Sequence, residues 1–73
     1  MRWSQLFLLD KEKSKKFKST DLDEFKTFMN ELYPQIKPSG SIGRWIWVDK
    51  DDNYYGEAVA KTLDKWECRY YEK

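Results

Sequence analysis

Histidine is absent from this chain and cysteine occurs once. Without histidine, the usual general base of small hydrolases is missing and nucleophile–histidine catalysis is excluded. The lone Cys68 closes no disulfide within the chain, and a structural zinc site takes about four Cys or His ligands. A single thiol fits a reducing compartment or a buried inert position. No run approaches the roughly 18 apolar residues of a membrane span. The apolar stretch Leu6 to Leu9 is too short for a signal-peptide core and has no small-residue cleavage site behind it. The setting expected is soluble and cytoplasmic, with no membrane partner. Charge of one sign is also lacking: the net charge is +1, which argues for neither a dedicated polyanion binder nor an acidic mimic. Glycine is scarce, and Gly40 and Gly43 flank Ser41-Ile42 without the strand-to-helix turn of a phosphate loop.

What the chain has in quantity is aromatic side chains: four Trp, five Tyr and four Phe in 73 residues. A domain of this size buries only about 60% of the surface of its unfolded chain. Aromatics, at roughly 150–250 Å² each, are one way to build a core from few residues. They are also the residues that dominate contact surfaces.

The charges are unevenly spread. Lys11, Lys13, Lys15, Lys16 and Lys18 are opposed only by Glu12, while Asp49, Asp51, Asp52 and Glu57 are opposed only by Lys50. A basic end and an acidic end follow. Residues 3–9, WSQLFLL, read as a strand entering a charged turn, with 15–18 as its short return strand. Thr20 opens a [ST]-x-x-[DE] capping pattern, and Leu22, Phe25, Phe28, Met29 and Leu32 recur at helical spacing. Pro34 ends the pattern, which predicts a helix over about 20–33. Residues 34–43 hold two Pro, two Gly and two Ser and read as a loop. Arg44-Trp-Ile-Trp-Val48 is strand-like, DKDDN is a hairpin loop, and the return strand runs to about residue 60.

The last stretch admits two periods. Leu63, Trp66 and Tyr70 share a helical face after Thr62, whereas Trp66, Cys68 and Tyr70 alternate as in a strand. The helix from 62 is the reading adopted. It makes the halves alike, because Arg2-Trp3 and Arg44-Trp45 each precede a Thr (Thr20, Thr62) that is closely followed by Leu-Asp. The fold class expected is therefore α+β. It is one domain, a two-layer sandwich with a small four-stranded antiparallel sheet in ββαββα order and two helices on one face.

Motifs for chemistry fail on inspection. Asp49, Asp51 and Asn53 match the first three ligands of an EF-hand loop, but Tyr54 stands in the glycine position and Ala60 in the terminal glutamate position. Glu24-x-Lys26 lies in the predicted helix without a partner aspartate. Arg69-Tyr70-Tyr71 and the lysines supply the side chains of a histidine-free ribonuclease, yet nothing gathers them into one site. No catalysis, cofactor or metal is expected.

Side chains alternate faces along a strand. Trp45 and Trp47 share one face of 44–48 and Ile46 and Val48 the other; Trp3, Phe7 and Leu9 oppose Leu6 and Leu8. If helices cover the aliphatic faces, Trp3, Phe7, Trp45 and Trp47 form an open aromatic surface. If helices cover the tryptophans instead, that surface becomes core and the aliphatic face needs a cover. The function expected is that of a small non-enzymatic binding protein. Trp3, Phe7, Trp45, Trp47 and Tyr55 would be its contacts, and Lys11, Lys13, Lys15, Lys16, Lys18, Asp51 and Asp52 its steering charges. Trp and Tyr are enriched among the few residues that dominate binding energy, so the expected partner is a protein; an inhibitor or regulator of a host or defence complex, of the phage or mobile-element kind, is expected by association alone. The alternative is single-stranded nucleic acid or RNA, stacked on the aromatics and neutralised by the lysines. Homodimerisation is compatible with both.

Overall fold

The structure is a computed structural model, and it describes residues 8–72. It contains one helix and five strands: β1 (Ser14–Lys16), α1 (Leu22–Leu32), β2 (Pro38–Ser41), β3 (Arg44–Val48), β4 (Tyr54–Ala60) and β5 (Trp66–Tyr71). All strands belong to one antiparallel sheet in the order β1-β5-β4-β3-β2. The α+β class and the antiparallel sheet match expectation. The counts differ, with five strands for four and one helix for two.

Helix α1 forms where the spacing of apolar residues predicts it, but its cap is Asp21 and not Thr20. The Asp21 side chain accepts from the Asp23 and Glu24 amides, at 2.8 and 3.3 Å for Oδ1. Ser19 closes the turn by accepting from the Asp21 amide and donating to Glu24 Oε2. Asp21, Asp23 and Glu24 all face the positive end of the helix dipole. Thr20 serves the sheet instead: its carbonyl accepts from Trp66 N–H at 2.9 Å.

The second predicted helix is replaced by a turn and a strand. Lys61 and Thr62 amides both donate to the Lys65 carbonyl, and the Thr62 hydroxyl donates to Asp64. Leu63, the first apolar member of the helical pattern, stands wholly exposed at the tip of this turn. The alternation of Trp66, Cys68 and Tyr70 prevails because it supplies β4 with its second neighbour. With it goes the internal repeat, since no helix follows Thr62.

Two further corrections concern pairing. The presumed loop 34–43 contains β2, whose sequence PSGS has little strand propensity. It is held as an edge strand against β3, with Pro38 at its first position, where a missing N–H costs nothing. The return strand expected at 15–18 falls at β1, which pairs with β5; most of its expected partner, residues 3–9, lies outside the described residues. Leu8 and Leu9 are bends, and residues 1–7 lie outside the described residues.

The register places Trp45, Trp47, Gly56, Ala58, Cys68 and Tyr70 on one face. Helix α1 lies on that face. Phe25 and Met29 are fully buried against Trp47, Ala58 and Cys68, with the Phe25 ring edge-on to Trp47 at 5.1 Å. Small residues under the helix make room: a Cβ on Gly56 would stand 2.4 Å from Met29 Cε. Burying each large side chain contributes on the order of 2 kcal/mol. The edge strand shows the same fit, since a Cβ on Gly40 would lie 2.2 Å from the Trp45 ring.

These two glycines predict unequal responses to one added methyl group. Gly56→Ala meets the free end of a flexible Met29 and should cost about 1 kcal/mol. Gly40→Ala meets a rigid ring and should cost about 2 kcal/mol or more and displace Trp45. Urea unfolding followed by tryptophan fluorescence checks both.

Candidate functional site

Of the expected aromatic surface, Trp45, Trp47 and Tyr55 fall among the described residues. Trp47 is 1% exposed and belongs to the core beneath α1. Trp45 is half-buried, lying over Gly40 with Lys26 Nζ 3.8 Å above its ring. The helix has covered the tryptophan face, which turns these two residues from surface anchors into packing. Trp3 and Phe7 lie outside the described residues.

Tyr55 and the acidic loop form a unit of their own. A bulge between Trp47 and Val48 leaves Tyr55 as the extra residue of β4, and its ring packs on Tyr33 at 4.7 Å. Its hydroxyl donates to Asp49 Oδ2 at 2.9 Å. Asp49 Oδ1 also accepts from the Asp51 and Asn53 amides, at 2.8 and 3.0 Å. The hydrogen bond from the Asn53 amide is the main reason its carboxyl sits below the ordinary range. The same contact with Asp49, followed by desolvation, raises Tyr55. Asp49 is thus occupied by the turn that resembled a calcium loop. Asp52 takes a positive φ of 64°, tolerated by Asp in a tight turn. Asp51 and Asp52 are exposed at this tip. Glu57, counted with them by sequence, is elsewhere: it is buried in the middle of β4.

The five lysines are all exposed along residues 11–18, before, in and just after the edge strand β1. Two of them, Lys16 and Lys18, line a groove between α1 and the β1–β5 side of the sheet, of about 700 Å³. Its floor is aromatic. Phe17, Phe28 and Tyr70 are half-buried, with ring centroids 5.0 Å (Phe17–Phe28), 4.8 Å (Phe28–Tyr70) and 6.5 Å (Phe17–Tyr70) apart. Each element places its residue for a local reason. Phe17 follows β1, and its N–H reaches the Cys68 carbonyl at 2.7 Å. Phe28 stands one helical turn beyond the core residue Phe25, on the flank of α1. Tyr70 alternates with Cys68 on β5. A smaller cleft sharing Phe28 and Tyr70 extends the groove to Leu32 and Glu72.

The groove walls differ in sign. Lys16 and Lys18 line the strand side, and Asp23, Glu24 and Glu31 line the helix side. Lys15 pairs with Glu72 at 3.1 Å in full solvent, a contact of small energetic weight. Of this set, sequence reasoning had marked Lys15, Lys16 and Lys18 as steering charges. It places Phe28 and Tyr70 on the apolar, packing faces of its two predicted helices and does not single out Phe17. The signal was present in Lys16-Phe17-Lys18, an aromatic held between two lysines.

Among the described residues no group of three or more His, Cys, Asp or Glu is placed to hold a metal ion, and no helix is long and apolar enough to cross a membrane. Cys68 is buried beneath α1, and desolvation raises its thiol pKa to about 12. Comparison with protein-family models, curated proteins and solved structures finds no match.

The Cys68 environment gives a direct check on the packing. A rise from 9.0 to about 12 lowers the thiolate fraction about a thousandfold. Alkylation by iodoacetamide at mildly alkaline pH should be negligible in the folded protein and rapid in urea, with the rate set by unfolding.

Proposed function

We propose that this protein is a small non-enzymatic binding domain that docks on a protein partner through the groove between α1 and β1. The observation that carries the reading is the combination of an aromatic floor with walls of opposite charge. Half-exposed Phe17, Phe28 and Tyr70 offer apolar area that is stable only while partly covered. Lys16 and Lys18 opposite Asp23, Glu24 and Glu31 select a segment carrying both signs of charge on either side of an apolar residue. A polypeptide has that chemistry. A polyphosphate backbone does not, because the acidic wall repels it along the length of the helix. Acting by occupation, in the manner of an inhibitor of a larger assembly, needs no catalytic residue.

The test is selection of short peptides from a random display library against the folded domain. Selected peptides should join an apolar or aromatic residue to charges of both signs and perturb the amide resonances of Phe17, Phe28 and Tyr70. The surface double variants Lys16→Glu/Lys18→Glu and Glu24→Lys/Glu31→Lys should each weaken binding about tenfold, ~1.4 kcal/mol, without loss of fold. Peptides that bind these variants as well as the wild type, or that map to another surface, overturn the reading. An oligothymidine titration showing tight binding that falls steeply with salt would replace it by nucleic-acid recognition along the lysines.

A further inference from the structure

The face of the sheet opposite α1 has a different cover. Glu57 points to that face, since its register neighbours there are Ile46 on β3 and Arg69 on β5. Its side chain is fully buried, as is Val59, and neither belongs to the helix-side core. Glu57 Oε1 accepts from the Leu8 amide at 2.7 Å, and the Leu9 amide also donates to the carboxylate. Arg44 Nε lies 3.1 Å from Oε2, an ion-pair contact off the line of a hydrogen bond. Leu9 is 3% exposed and Leu8 52% exposed.

We propose that residues 8–13 are a releasable strap across this second face, latched by the buried Glu57 carboxylate. The strap has no regular structure. Among the described residues its buried ties are the Leu9 side chain and the hydrogen bonding to Glu57, beside the Ser14 amide that donates to the Asp10 carbonyl at 2.9 Å where the strap joins β1. The others are exposed: Asp10 N–H to the Tyr71 hydroxyl at 2.9 Å, and Arg69 Nη2 to the Lys11 carbonyl at 3.0 Å. Water can replace these at little cost, so the strap opens more readily than the sheet it covers. A buried charge is also a poor way to gain stability, because an apolar residue in its place usually does better. What the carboxylate does, and an apolar side chain cannot, is hold backbone amides of an irregular segment.

Closure is coupled to protonation. Desolvation raises the Glu57 pKa, opposed by the Leu8 amide, the Arg44 charge and the Leu9 amide. Other charged groups on the elements packed against it are Arg69 and Glu67 on β5 and Asp10, Lys11, Glu12 and Lys13 on the strap. Arg69 is itself turned to Ser14 Oγ, the Lys11 carbonyl and Glu67. An open strap returns Glu57 to water and its ordinary value of 4.5. Closure therefore takes up protons. It is strongest below that ordinary value and weakens as pH rises through the raised one.

Amide hydrogen exchange on the full chain, with rates referenced to an unstructured peptide at each pH, tests the latch. Glu57→Ala should lower protection of the Leu8 and Leu9 amides roughly tenfold to a hundredfold while Ala58 and Val59 keep theirs. Trypsin should then cut at Lys11 and Lys13 first. Glu57→Gln retains an acceptor oxygen and should restore most of the protection while abolishing its decline with pH. Unchanged protection at Leu8 and Leu9 in Glu57→Ala overturns the proposal. So does equal loss at Ala58 and Val59, which would make Glu57 a support of the whole fold.

Discussion

The edge-on contact of Phe25 with Trp47 is the constraint from which the rest of the molecule follows. It sets α1 down over the middle of the sheet, where Gly56, Ala58 and Cys68 leave room for Phe25 and Met29. An eleven-residue helix cannot cover five strands. Placed centrally, it leaves the β1–β5 flank as an open channel and leaves the opposite face to be closed by other means. Groove and strap are two results of the same shortage of helix among the described residues.

The aromatic residues divide accordingly. Trp47 and Phe25 are core. Phe17, Phe28 and Tyr70 continue that core outward until it meets solvent, so the groove floor is backed by rigid packing and costs little to hold in place. Tyr33 and Tyr55 brace the far end of the helix, where Tyr33 donates to the Tyr71 carbonyl at 2.5 Å. The charged residues divide as well. Asp49 is consumed by its own turn, Glu57 by the strap and Lys15 by Glu72, while Lys16 and Lys18 line the groove.

Much of this was legible where local pattern and tertiary need agree. Helix α1 announces itself by its 3.6-residue period, and β3 and β4 by β-favouring residues around a turn of Asp and Asn. The reading faltered where local pattern is silent or double. PSGS carries no strand signal, and only the free edge of β3 makes it β2. Residues 62–70 satisfy two periods at once, and the choice falls to the unpaired side of β4, which no local window contains. For the groove, Phe28 and Tyr70 were recognised as packing residues, yet how much of a ring remains exposed depends on where the sheet ends. Glu57 carries a signal of its own: it is the one charged residue in the stretch Tyr54–Ala60, next to a strand that begins with Arg44.

The pairing of β1 with β5 has a consequence for how the chain reaches this structure. Ser14 and Arg69 meet across 55 residues, and every other strand pair is a hairpin between neighbours. The meander from β2 to β5 can zip locally and fast, whereas the β1 edge, and with it Phe17 and the groove, can close only after β5 exists. During synthesis the groove is thus assembled last, and a chain truncated before Trp66 would have its helix and two hairpins but no β1–β5 wall to the groove.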